Sequence, residues 1–149
     1  MRIVKLLVVF AALLSVTGCA CRSKKVGPEE TNVPVVQEGK ELRDINFAFD
    51  SYELDATARA ILNANAQWLN ANPEVKVQIE GHCDERGTNQ YNMVLGAKRA
   101  RAAMEYLRSL GVSADRMSTV SYGEELPLDP RHNEEAWAKN RRAHFNVQK

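Results

Sequence analysis

The sequence predicts an α+β or α/β domain in which helices pack on a mixed sheet in the order β-α-β-α-β-β, preceded by a flexible N-terminal tether. Three of the four predicted strands alternate apolar and polar residues, which is the period of a half-buried strand. Two longer segments repeat apolar residues every three or four positions, which is the period of an amphipathic helix. With 149 residues, 44% of them hydrophobic, the chain has enough apolar side chains for one modest core.

The first half of the domain is predicted to contain a strand, a helix and a second strand. Apolar side chains alternate over residues 45–49, so this segment is expected to be a half-buried strand. Asp55 can cap a helix that runs to about Ala71, and Pro73 prevents that helix from continuing. The alternation resumes over residues 75–80 and predicts the second strand.

The second half of the domain is predicted to contain a helix followed by two strands. A polar loop over residues 81–89 leads into a helix from about Gln90 to Leu110, and Gly111 is a suitable C-cap. The remaining elements are a strand over 117–121, a loop over 123–133, a short helical turn over 134–138 and a last strand over 143–147. Strands joined by helices are usually parallel, whereas the last strand is reached by a loop and can run antiparallel.

The N-terminus has the features of an export signal. Arg2 and Lys5 are positive, and residues 6–16 that follow are apolar except for Ser15. This run is too short to span a bilayer, which needs about 20 apolar residues, but it has the length of a signal-peptide core. No transmembrane helix is predicted for the mature chain.

The end of the apolar run resembles the lipobox of bacterial lipoproteins. It reads Val-Thr-Gly-Cys and ends at Cys19. The resemblance implies that residues 1–18 are removed and that Cys19 carries an S-diacylglycerol and an N-palmitoyl group. Ala20, rather than Asp, follows the cysteine, which by lipoprotein sorting rules favours a lipid anchor in the outer membrane with the domain in the periplasm. The alternative is an ordinary signal peptide with a chance cysteine.

Residues 19–43 differ in character from the rest of the chain. They contain two glycines, two prolines and many charges without a helical stripe, so they are expected to form a flexible linker after the lipidated N-terminus. Such a linker would reach about 80 Å at most when fully extended. The alternative is that part of it packs on the domain as a strand. The domain proper is expected to occupy residues 44–149.

The balance of charges and the cysteine count exclude several classes of function. The net charge is +1, which gives no electrostatic argument for nucleic acid as a partner. Three cysteines do not form a disulfide framework. His82 and Cys83 are adjacent but lack a second, spaced pair of ligands, so neither a metal nor another cofactor is predicted.

Two opposite charges in the 81–100 segment predict a binding site. Arg99 and Asn92 share one side of the predicted helix, and Arg99 points back toward the loop that contains Asp84. Gly96 lies between them and is expected to leave a notch. Asp84 would hold an ammonium and Arg99 a carboxylate, so the site suits a zwitterion. Leu95 would supply an apolar wall. The alternative is that Asp84 and Arg99 pair only with each other.

The same segment resembles a known family. Residues 81–88 read Gly-His-Cys-Asp-Glu-Arg-Gly-Thr, Phe-Asp occurs at 49–50, Ser-Tyr-Gly-Glu-Glu at 121–125 and Asn-Arg-Arg at 140–142. Together these motifs resemble the OmpA-like peptidoglycan-binding domain over about residues 45–147. Because of the lipobox, the resemblance is to the lipoprotein members of that family.

The resemblance implies a ligand, a set of site residues and a protein partner. The family binds the peptidoglycan stem peptide through its diaminopimelate residue, whose side-chain end is zwitterionic. Asp84 and Arg99 match the family's two principal ligand positions. The surrounding positions are Phe49, Asp50, Thr88, Asn92, Leu95 and Arg142. The family also binds TolB, a β-propeller protein of the Tol system, through an overlapping surface, and the Tol–Pal system acts during cell division.

Two other functions compete with wall binding. Asp84, Glu85, Glu124 and Glu125 could be the acid and base of a wall-cleaving glycosidase. Such an enzyme needs a carboxylate of raised pKa, whereas here the acid is paired with an arginine, so the chain is predicted not to be an enzyme. The other alternative is a protein-interaction adaptor of the envelope that never touches peptidoglycan.

Overall fold

The computed structural model describes residues 42–148. The elements are β1 (Ile45–Asn46), α1 (Ala56–Ala71), β2 (Lys76–His82), α2 (Asn89–Ser109), a 3₁₀ turn (Ala114–Arg116), β3 (Met117–Gly123), α3 (Glu134–Asn140) and β4 (Arg142–Gln148). The predicted signal peptide, the lipidation at Cys19 and nearly all of the predicted linker lie outside these residues. Within residues 42–148, no helix is both long and apolar enough to cross a bilayer.

The four strands form one mixed sheet in the order β1-β4-β2-β3. β2 and β3, which α2 connects, are parallel, and β4 is antiparallel to both β2 and β1. The predicted direction of the last strand is therefore correct. Its position is notable because β4, the last strand in the chain, lies between the first two.

Both long helices begin at side-chain caps. The Asp55 carboxylate accepts a hydrogen bond from the Ala58 amide at 2.7 Å, as the sequence predicted, and the Thr88 hydroxyl accepts one from the Tyr91 amide at 3.2 Å. The apolar faces of the helices cover the sheet. The centre of this core contains Leu62, Leu69, Ile79, Leu107 and Phe145.

β1 is shorter than the sequence predicted. The strand includes only Ile45 and Asn46, and the chain turns away over residues 48–50, where Asp50 has a φ of 52°. The Phe49 side chain is consequently 58% exposed, although its alternation with Phe47 had indicated a strand. Asp is one of the few non-glycine residues that adopt this left-handed conformation readily.

Two glycines allow α2 to lie against the sheet. A Cβ added to Gly96 would stand 2.8 Å from the Gly81 carbonyl oxygen and would clash with the Ser121 hydroxyl. A Cβ on Gly81 would clash with the Gly96 carbonyl group in turn. Gly96 therefore leaves no notch for a ligand, contrary to the expectation from sequence: β2 and β3 fill that space.

Candidate functional site

A cavity of about 200 Å³ lies where β2 ends and α2 begins. The turn after β1, the loop after β2, the first half of α2 and the residue before β4 surround it. Six residues that the sequence predicted for the site line this cavity: Phe49, Asp50, Asp84, Asn92, Leu95 and Arg99. The structure thus brings together residues that are up to fifty positions apart in the chain.

Arg99 is a buried cation at the base of the cavity, with a side chain that is 1% exposed. Its guanidinium donates to three backbone carbonyls: Nε to Ser51 at 2.8 Å, Nη1 to His82 at 2.8 Å and Nη2 to Ala48 at 3.1 Å. A guanidinium has five N–H groups, so these three bonds leave two. Burial lowers the pKa of Arg99 from its ordinary value.

The three acceptors of Arg99 are neutral, and this has a consequence for binding. Within residues 42–148, no carboxylate forms an ion pair with the Arg99 guanidinium, and the alternative that Arg99 pairs with Asp84 is therefore wrong. A buried charge without a counterion is unfavourable, because its lost hydration is only partly replaced. An anion that entered the cavity would supply the missing counterion.

Asp84, also buried, is the fixed anion of the cavity. Its Oδ1 accepts hydrogen bonds from the Arg86 backbone amide at 3.1 Å and from Arg86 Nε at 3.2 Å. Its Oδ2 accepts from Arg86 Nη2 at 2.7 Å and from Arg141 Nη1 at 3.1 Å. Burial acts to raise the pKa of Asp84, but the hydrogen bonds from the two arginines outweigh it and lower the pKa below its ordinary value.

Arg141, rather than the predicted Arg142, faces the cavity. Arg141 is fixed by the Phe47 carbonyl at 3.1 Å and by Glu134 at 3.0 Å, in addition to Asp84. Arg142 points to the other side of the sheet, where its Nε lies 3.6 Å from Asp44. The reason is the period of a strand: residues 143, 145 and 147 face the helices, so residue 142 faces away. That same alternation in the sequence was the signal that could have distinguished the two arginines.

Thr88 and Asn92, which the sequence predicted as site residues, stabilise the backbone around the cavity. Thr88 is not a lining residue, since its hydroxyl caps α2. The Asn92 amide donates to the backbone carbonyls of Asp84 and Arg86, both at 3.2 Å, and to the Glu124 carboxylate. Asn92 therefore holds the loop after β2 in place from inside the protein.

The sequence reasoning missed several lining residues: Cys83, Arg86, Gly87, Tyr91 and Arg141. The Tyr91 hydroxyl donates to the Asp50 carboxylate, and this hydrogen bond raises the pKa of Tyr91. Burial raises the pKa of the Cys83 thiol, which keeps it protonated and unreactive. In the described part of the chain, no group of His, Cys, Asp and Glu side chains is suitable for a metal ion.

The charges that line the cavity favour an anion or a zwitterion. Three guanidinium groups, of Arg86, Arg99 and Arg141, face two carboxylates, of Asp50 and Asp84. The pKa of the Asp84 carboxyl is lowered, whereas the general acid of a glycosidase requires a raised pKa.

Comparison with known proteins agrees with this architecture. Residues 46–141 match the OmpA family. The chain is 42% identical to the peptidoglycan-associated lipoprotein of Pasteurella multocida over 89% of its own length and 88% of that protein. The chain belongs to the OmpA family, among the peptidoglycan-associated lipoproteins.

Two solved structures have the same fold. The crystal structure of the peptidoglycan-associated lipoprotein from Burkholderia pseudomallei matches with a TM-score of 0.69 and 43% identity, over 71% of this chain and 90% of that one. The C-terminal domain of Helicobacter pylori MotB matches with a TM-score of 0.68 at 22% identity, over 73% of this chain and 86% of that domain, which shows the fold alone. The predicted fold class is confirmed, and the prediction that the chain is not an enzyme agrees with the family.

Proposed function

We propose that the cavity binds the diaminopimelate residue of the peptidoglycan stem peptide. The observation that carries this proposal is the Arg99 guanidinium, which is 1% exposed, has only neutral acceptors and keeps two N–H groups. The carboxylate at the side-chain end of diaminopimelate would accept from these two groups as a bidentate partner. Binding would therefore give a buried cation its counterion.

The other parts of the zwitterion have complementary neighbours in the same cavity. The ammonium would lie beside the Asp84 carboxylate, whose lowered pKa keeps it ionised at neutral pH. The methylene groups would pack against Leu95 and the exposed ring of Phe49. Asp50, at the rim, would add a second negative charge.

At the scale of the cell, we propose that the protein links the outer membrane to the wall as part of the Tol–Pal system during cell division. The acyl chains on Cys19 would provide the membrane anchor, since two chains are sufficient for stable insertion. TolB would bind a surface that overlaps the cavity. Two large aromatic side chains that line the cavity, Phe49 and Tyr91, are exposed, and such groups are typical of protein interfaces.

Retention on purified sacculi tests the binding site. We expect Asp84→Asn and Arg99→Lys each to weaken retention about tenfold or more. Asp84→Asn removes the negative charge beside the ammonium, and Arg99→Lys loses the planar guanidinium that the carboxylate would bind as a bidentate partner. Asp129→Asn and Arg116→Lys are matched controls. Asp129 is also held by an arginine two residues later, and Arg116 also donates to three backbone carbonyls, but neither residue lines the cavity.

Three results would contradict the proposal. Unchanged retention in both cavity variants, with melting temperatures near that of the wild type, would mean that the protein does not hold the wall through this site. Equal losses in the control variants would assign the effect to general destabilisation. Release of muropeptides from the sacculi would identify an enzyme instead of a binding protein.

A further inference from the structure

We infer that Arg86 determines the ligand specificity of the cavity by occupying the position beside Asp84 that a ligand's ammonium would take. The inference rests on the proposed function and adds a residue and a rule to it. According to this rule, an amine can take the place beside Asp84 only in a ligand that also brings a carboxylate for Arg99. Arg86 was not among the residues that the sequence predicted for the site.

The first argument is the number of acceptors on Asp84. A carboxylate has about four lone-pair positions. Arg86 fills three of them, through its backbone amide at 3.1 Å, Nε at 3.2 Å and Nη2 at 2.7 Å. Arg141 fills the fourth at 3.1 Å. An incoming ammonium therefore finds no free oxygen lone pair on Asp84 and must replace one of the two arginines.

The second argument decides which arginine is replaced. Arg141 is 10% exposed and is also fixed by the Phe47 carbonyl and by Glu134. Arg86 is 31% exposed, and its remaining ion-pair contact, with Glu134, is 3.5 Å long. The side-chain hydrogen bonds of Arg86 to Asp84 are only part-buried, whereas those of Arg141 to Asp84 and Phe47 are buried. Arg86 is therefore the group that an ammonium displaces.

The third argument is what the displacement exposes. The Arg86 guanidinium carbon lies 4.1 Å from the centre of the Phe49 ring and 4.3 Å from that of Trp137. When the guanidinium leaves, both rings become available to the methylene groups and the cation of the ligand. The ligand would then contact Asp84 and the two rings as Arg86 does when no ligand is bound.

These contacts lead to the specificity rule. A simple amine has to break the bidentate pair of Arg86 with Asp84 and gains nothing at Arg99, so it binds poorly. A zwitterion also forms an ion pair with the buried guanidinium of Arg99 when it binds. This favourable contact offsets the free energy that displacing Arg86 costs. A carboxylate without an amine can bind Arg99 while Arg86 stays in place.

Two peptides and one variant test the rule by calorimetric titration. The first peptide is a stem tripeptide that ends in diaminopimelate, and the second is the same tripeptide with its diaminopimelate amine acetylated. We expect Arg86→Gln to bind the first peptide about tenfold more tightly than the wild type, because no charged pair has to be broken. The second peptide should gain nothing. Arg86→Lys, which keeps the charge but loses the bidentate geometry, should fall between.

Arg131→Gln is the matched control. Arg131 forms the same arrangement with Asp129, with Nε at 3.0 Å from Oδ1 and Nη2 at 2.6 Å from Oδ2, and it does not line the proposed site. The Arg131→Gln variant should bind both peptides as tightly as the wild type does. Weaker binding of the first peptide by Arg86→Gln, or equal changes for both peptides, would show that Arg86 merely builds the site and would overturn the inference. If the wild type itself bound neither peptide, the proposed function would fail, and the inference with it.

Discussion

At the scale of single residues, two buried charges of opposite sign line one cavity, but only the negative one has charged partners. Asp84 is held by two arginines, and Arg99 is held by three carbonyls. The sequence predicted their proximity, because helical spacing and the lean of helical side chains direct Arg99 toward the loop. Their partners could not be predicted, because the bonds of Arg86 and Arg141 depend on the backbone path of a loop and of a distant turn.

The pair Arg141 and Arg142 gives a prediction at this scale. Arg141→Gln removes one charged partner of buried Asp84, so we expect the free energy of unfolding to fall by about 1 to 3 kcal/mol and sacculus retention to weaken. The pKa of Asp84 should also rise toward its ordinary value, which carboxyl chemical shifts during a pH titration would report. Arg142→Gln, on the other side of the sheet, should leave both retention and the Asp84 titration unchanged, and a loss there would contradict the structure.

At the scale of elements, local patterns predicted helices and strands well, but they overestimated β1. Asp55, Pro73 and Gly111 punctuate the helices where the sequence indicated, within a residue or two. The strand expected over residues 45–49 ends after Asn46, because the turn at Asp50 takes Phe49 to the cavity rim. Apolar residues at every second position fit a long core strand, but they also fit a short strand followed by a turn that carries one exposed aromatic ring. The pattern alone could not distinguish these two structures.

The contact between α2 and β2 is tested by substitution at its closest point. Gly96→Ala places a methyl group against the Gly81 carbonyl, which is backbone and cannot move without displacing the sheet. The methyl group would also force the Ser121 hydroxyl to rotate away from the Gly123 amide, from which it accepts a hydrogen bond. We expect a loss of about 2 kcal/mol or more in urea unfolding. Arg101→Ala, on the exposed side of the same helix, should change stability by less than about 0.5 kcal/mol. A stable Gly96→Ala variant would mean that helix and sheet are farther apart than described.

At the scale of the whole molecule, the order of the strands could not be read from the sequence. Periodicity is a local property, whereas the place of β4 between β1 and β2 depends on pairing between segments about one hundred residues apart. The same long-range pairing brings Arg141 beside Phe47 and so completes the cavity. The sequence therefore predicted several of the residues that line the cavity, but not the surroundings that hold them there.

The stability of the whole domain should depend on pH through His82. This side chain is 2% exposed, and burial, with the nearby charges of Arg142 and His144, lowers its pKa from 6.5 to about 4. The unfolded chain takes up a proton near pH 6.5 and the folded chain does not until about pH 4. The free energy of unfolding should therefore fall as the pH drops through this window, by about 3 kcal/mol in all.

Urea unfolding at pH 7.0 and at pH 4.5 measures this effect. His82→Phe keeps an aromatic ring against Tyr122 but removes the titrating group, so its unfolding free energy should change much less between the two pH values. His132→Gln, at an exposed histidine, should keep the slope of the wild type. Equal slopes in all three proteins would assign the pH dependence to other groups.

The central place of β4 has a consequence for the order in which the domain folds. β1 joins the sheet through β4, and Arg141, one residue before β4, holds both the turn after β1 and the acid of the cavity. Neither the sheet nor the cavity is complete until β4 has paired with both β1 and β2. The cavity should therefore be among the last features of the domain to form.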